Sequence, residues 1–178
     1  MEANVIVGNI VALIASIIMV YSGFIKDKKK IVFIQTIQIF LLVVSNLVLG
    51  GITGAIINVI SCIRNILCYK DKLDLKAKII ITVLSIVLSV VFNNLAFAGL
   101  LPLIATTLYV WFMNEKNIIK FKILMIVTAI MWFIYDIVIL SYTSAIFDFL
   151  TAVAAIIAII KILIKNKKVS RWFLCQNL

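Results

Sequence analysis

Residues 50–65 read GGITGAIINVISCIRN: two glycines, then an apolar run that carries Asn58, Arg64 and Asn65. The run continues to residue 69, so its span of about 17 residues is enough to cross a bilayer as a helix. Three strongly polar side chains in such a run need a partner or a wet space. Working outward from this segment shows that the rest of the chain has the same character.

Hydrophobic residues make up 65% of the 178 and charged residues 13%, against roughly 45–50% and about 25% in a soluble domain. A soluble fold of this size has too much surface to hide that much apolar matter. Seven apolar runs can be read, at 5–25, 31–50, 53–69, 77–94, 98–113, 121–140 and 144–164. They are continuous rather than alternating, and longer than barrel strands, so an all-α polytopic membrane protein follows. Met1 to Asn4 carries an acid and no base, and no small-residue cleavage site follows the first run. That run is therefore expected to be a helix rather than a signal peptide.

The net charge of +10 does not point to nucleic acid, because the basic residues cluster between apolar runs and are not interleaved with aromatics. Residues 26–30, 70–78, 115–122 and 161–171 are Lys-rich, whereas the loops near Gly50, Phe97 and Tyr142 hold no charge. Only Arg64 departs from this pattern. By the positive-inside rule the N-terminus is outside and the C-terminus cytoplasmic, which requires an odd number of helices. The expected location is a bacterial inner (plasma) membrane. The tail 166–178, with Lys167, Lys168 and Arg171 before Trp172 and Phe173, is expected on anionic headgroups.

Sliding the chain against itself by ninety positions aligns Ser16 with Thr106, Lys26 and Lys30 with Lys116 and Lys120, Asn46 with Asp136, and Asn58 with Asp148. The repeat unit is three helices. A second copy in the same orientation needs one extra crossing, and helix 4 supplies it. The expected plan is 3+1+3: a first triple-helix bundle at 1–70, a linker helix within 71–96 and a second bundle at 97–165. Parallel repeats of this kind place a solute site near the midplane where the halves meet.

Leu49-Gly50, Thr53-Gly54-Ala55, Asn58, Ile63-Arg64-Asn65, Leu100-Leu101-Pro102 and Trp132-Phe133-Ile134-Tyr135-Asp136 with Asp148 resemble the YgjV family of bacterial inner-membrane proteins over nearly the whole chain. The arrangement is similar to the SWEET, SemiSWEET and PnuC transporters, and the resemblance implies a 3+1+3 architecture. One departure is that Pro102 is followed by Leu103, so the Pro-Gln pair of the PQ-loop relatives is absent.

No histidine is present, and Cys62, Cys68 and Cys175 have no metal or disulfide spacing. Metal, cofactor and hydrolytic chemistry are therefore not expected, and neither is enzyme activity. The intramembrane polar residues are the candidate substrate site: Asn46, Asn58, Arg64, Asn65, Trp132, Asp136 and Asp148. Asn58, Cys62 and Asn65 form a stripe at i, i+4, i+7. Arg64 lies about 100° round from Asn65, and either reaches inward or snorkels to the cytoplasm. An ion pair from Arg64 to one acid is the structural alternative to a site. The sequence thus suggests a transporter of a small polar solute working by alternating access. The alternative is a non-transporting membrane protein that binds a partner or lipid. Homo-oligomerisation is left open.

Overall fold

The computed structural model describes residues 2–22, 28–112 and 117–176. Of the expected loop charges, Lys26, Asp27, Glu115 and Lys116 lie outside the described residues, as do the tail side chains from Lys165 onward.

Among the described residues seven α-helices follow one another: α1 (Ala3–Ser22), α2 (Lys28–Val48), α3 (Ile52–Tyr69), α4 (Leu75–Phe92), α5 (Leu101–Phe112), α6 (Ile118–Val138) and α7 (Tyr142–Gln176). The described residues contain no strand. By length and composition Ile52–Tyr69, Leu75–Phe92 and Tyr142–Ile164 are long and apolar enough to cross a membrane; Ala3–Met19, Val32–Val48 and Ala98–Phe112 are apolar but shorter. The seventh helix differs from expectation by running past residue 164 to Gln176. Nothing in that Lys-rich stretch, neither Gly nor Pro, stops a helix, and straight-chain Lys and Arg propagate one well.

Local chemistry sets several ends. The Asp74 side chain accepts a hydrogen bond from the Ala77 N–H and caps α4, and Asn117 accepts from Ile119 and Lys120 and caps α6. Each removes a donor that the first helical turn leaves unpaired. Pro102 is the second residue of α5, where no intrahelical N–H is needed.

Adjacent helices pack in chain order, α1 on α2, α2 on α3, α5 on α6 and α6 on α7, while α3 meets α5 and α1 meets α7. The six close into a ring. Helix α4 stands outside it, against α3 and α5, with Ile81, Ser85 and Ser89 turned inward and Ile80, Val83, Val87, Val90 and Val91 exposed. The whole molecule is inverted in this sense. Large apolar side chains cover its outside, and Gln38, Ser45, Asn46, Thr53, Asn58, Arg64, Thr128 and Asp136 are buried inside. Lipid contact selects this distribution, since hydrocarbon solvates Ile and Val at no cost and polar groups need the interior.

The turns after α2 and α6 are built alike. Gly50 has φ +77° and Leu140 φ +60°. Gly51 N–H donates to Asn46 O at 2.8 Å, and Ser141 N–H to Asp136 O at 2.8 Å. The carbonyl of the left-handed residue is capped in both, Gly50 O by Asn94 Nδ2 at 2.8 Å and Leu140 O by Asn9 Nδ2 at 2.9 Å. Tyr135, fully buried on α6, reaches across the ring and accepts a 2.8 Å hydrogen bond from Gly54 N–H in the first turn of α3. Glycine is required at 54 because a Cβ there would sit 2.6 Å from Tyr135 Cε1. Close approach of one helix to another is what the missing side chain permits here.

Candidate functional site

The ring surrounds a half-open cavity of about 250 Å³, far beyond the ~10–15 Å³ that one water occupies. Each of the six ring helices lines it, and among the described residues α4 does not. Of the residues expected to form the site, Asn46 (α2), Asn58 and Arg64 (α3), Trp132 and Asp136 (α6) and Asp148 (α7) all line this cavity. Asn65 stands behind the wall and holds Arg64: its Oδ1 accepts from Arg64 Nε at 3.2 Å and Nη2 at 3.0 Å.

Arg64 turns inward. It is 6% exposed, and its guanidinium carbon lies 5.0 Å from the centre of the Tyr109 ring on α5. A desolvated guanidinium over an aromatic face is a favourable cation–π arrangement. The snorkelling alternative is therefore not what the side chain does, and the reason is local: Asn65 and Tyr109 anchor it inside the bundle. Among the described residues Arg64 makes no ion pair with Asp136 or Asp148. Two of its five N–H donors go to Asn65 Oδ1.

The acids sit elsewhere in the cavity. Asp136, 4% exposed on the last turns of α6, and Asp148 on the second turn of α7 bring their carboxyls within hydrogen-bonding reach of each other. Trp132, one turn before Asp136, packs edge-on against Tyr135 with ring centres 5.8 Å apart. Asn58 lines the same space, and its Nδ2 is buried without a hydrogen-bond partner among the described residues. A buried orphan donor costs roughly 1–3 kcal/mol unless something accepts from it.

The stripe expected on α3 is only partly present. Asn58 lines the cavity, but Ser61 and Arg64 continue it at three-residue spacing. The Cys62 thiol instead turns to Thr36 O on α2, at 3.7 Å. Both i+3 and i+4 neighbours share a helical face, and here packing against α2 decides between them. The sequence reading also missed Gln35, Gln38, Thr128, Ser144 and Thr151, which are neutral polar residues of the lining. For all of these but Ser144 the signal was present in the ninety-residue offset. Nine pairs of lining residues are separated by that interval: 16 and 106, 19 and 109, 35 and 125, 38 and 128, 39 and 129, 42 and 132, 46 and 136, 58 and 148, 61 and 151. Tyr21 and Trp111 lie outside the cavity, and Trp111 Nε1 donates to Thr82 Oγ1 at 3.1 Å.

Among the described residues no group of three His, Cys, Asp or Glu side chains is placed to hold a metal ion. What the lining presents is polar side chains: guanidinium and amide on α3, a carboxyl pair on α6 and α7, and the Trp132 ring. Searches of curated proteins and of solved structures returned no match to the chain. A family model does match, over residues 6–166, described as a bacterial inner membrane protein and designated Imp-YgjV. With nearly the whole chain matched, an apolar exterior and a polar interior, the chain belongs to the YgjV family of bacterial inner membrane proteins.

Proposed function

We propose that the chain moves a small polar solute across the inner membrane by rocking two three-helix halves, α1–α3 and α5–α7, about the central cavity, with α4 as the linker that lets both halves share an orientation. The observation that carries this reading is the lining itself: nine residue pairs ninety positions apart face one space. A duplicated unit closing on a two-fold axis along the membrane normal produces such a lining, and that geometry belongs to parallel-repeat transporters. The like-built turns at Gly50 and Leu140 support the same duplication. In the ring, α1 on α7 corresponds to α3 on α5, as a two-fold demands. The N-terminus and the uncharged turns then face outward, and the Lys-rich ends face the cytoplasm.

A scaffold that only held a partner would pair its interior polar groups with one another. Here Asn58 Nδ2 has no partner and Arg64 has no acid among the described residues. The test is thermal stabilisation of the purified protein by a panel of sugars, vitamins, nucleosides and amino acids, repeated with Asp148→Asn. Replacement of the carboxylate by an amide of equal size restores the residue type of the first half. The expected result is a near-normal melting temperature with the ligand response lost. A normal ligand response beside a clear loss of stability would overturn the assignment of Asp148 to the site.

A further inference from the structure

The cavity is asymmetric in charge although its shape repeats. Asn46 and Asn58 on one side correspond to Asp136 and Asp148 on the other, while Arg64 corresponds to Ala154. Opposite Arg64, the two carboxyls lie within hydrogen-bonding reach of each other, close enough to act on a bound cation as one acidic pair. The lining therefore sets a cation on α3 against an acid pair on α6 and α7 and is strongly dipolar. A lone anion would satisfy Arg64 and leave the carboxyl pair facing an apolar gap. A lone cation would do the reverse.

We infer that the solute is a compact zwitterion of the amino-acid type, its carboxylate held by Arg64 and its ammonium held by the Asp136–Asp148 pair. Three N–H donors of Arg64 remain beyond the two engaged by Asn65, enough for a carboxylate fork. Tyr109 fixes the guanidinium plane from behind. Trp132 and Phe147 close the apolar sides, so the solute's carbon skeleton is short and lightly substituted. This inference rests on the transport reading and names the substrate class of the same site.

The experiment compares alanine and β-alanine with propionate and propylammonium, and with glucose as a neutral polar solute, by thermal stabilisation of the purified full chain. The amino acids should stabilise at concentrations at least tenfold below those needed by either singly charged analogue. Arg64→Gln and Asp148→Asn should each weaken that response tenfold or more, the loss of a hydrogen bond to a charged group being worth about that factor. Arg64→Lys, which keeps the charge but not the fork, should retain part of it, whereas a merely structural Arg64 would show no such grading. The unliganded melting temperature, read in the same scans, establishes that each variant is folded. Propionate acting as well as alanine would overturn the zwitterion and indicate an anion taken up with a proton. Glucose acting alone, in an Asp148-dependent way, would overturn it and leave transport standing. No response to any of the five would overturn it as well, and the accessibility of the cavity from each side of the membrane would then decide the transport reading.

Discussion

Replacing Tyr135 by phenylalanine removes one oxygen from the centre of the molecule, and the structure says what that oxygen does. Gly54 is the third residue of α3, so its N–H has no acceptor within the helix. The Tyr135 hydroxyl accepts from it at 2.8 Å, and the Tyr135 side chain is fully buried. The phenylalanine ring would keep the edge-on contact with Trp132 and leave the Gly54 donor unpaired where water does not reach. The expected cost is about 1–3 kcal/mol, or a melting temperature lower by roughly 2–12 °C for a chain of this size. Differential scanning fluorimetry of detergent-purified protein measures it, with Tyr21→Phe as control, since Tyr21 is 61% exposed and should change stability by less than about 0.5 kcal/mol. Because the contact joins α3 to α6 at the end where the uncharged turns gather, its loss should also speed maleimide labelling of a single cysteine replacing Ser144 from the outside. A Tyr135→Phe protein that melts with wild type and labels no faster would refute both steps.

Gly50→Ala should destabilise by about 1–2 kcal/mol through the left-handed backbone alone, because nothing lies near the added methyl. Gly54→Ala should cost a similar amount for a different reason, as its methyl meets the Tyr135 ring and overpacks it; the Tyr135→Leu background should relieve the second and not the first, which thermal scans of the four variants would show. Arg64→Met should melt at or above wild type, since a buried charge without an acid partner among the described residues is removed from a span where it costs ~2.5–3.5 kcal/mol, and should abolish ligand response in the same scan. Single cysteines replacing Gly50, Phe97 and Tyr142 should react with an impermeant maleimide in intact cells, and cysteines replacing Lys28 and Lys72 only after the cells are opened.

Much of this was legible because a bilayer imposes simple rules on sequence. Continuous apolar runs separated by loops of alternating charge marked the helices, and the register match of Asn46 with Asp136 and Asn58 with Asp148 pointed to residues that now line one cavity. The inward turn of Arg64 was not legible, since it depends on Tyr109 arriving from α5, forty-five residues away in sequence, to offer a ring face. Gln35 and Gln38 were not legible because a neutral amide in an apolar run carries no charge that demands a partner; only their place in the cavity lining distinguishes them. The Tyr135–Gly54 contact was hidden for the same physical reason: a tyrosine in an apolar run reads as belt or core until its partner's backbone is placed. The end of α7 was misjudged because hydropathy marks where a helix leaves lipid and not where it stops.

The central claim is that the cavity opens in turn to the two sides of the membrane. A single cysteine replacing Ser61, in a background with Cys62, Cys68 and Cys175 replaced, can be challenged with an impermeant maleimide in right-side-out and in inverted vesicles. The account predicts labelling in both preparations, and loss of the right-side-out signal alone when a disulfide between cysteines at positions 51 and 139, where a Cβ at 51 would lie 3.3 Å from Ile139 Cγ2, locks the outer ends of α3 and α6 together. Labelling in neither preparation, or in only one without the lock, would contradict it.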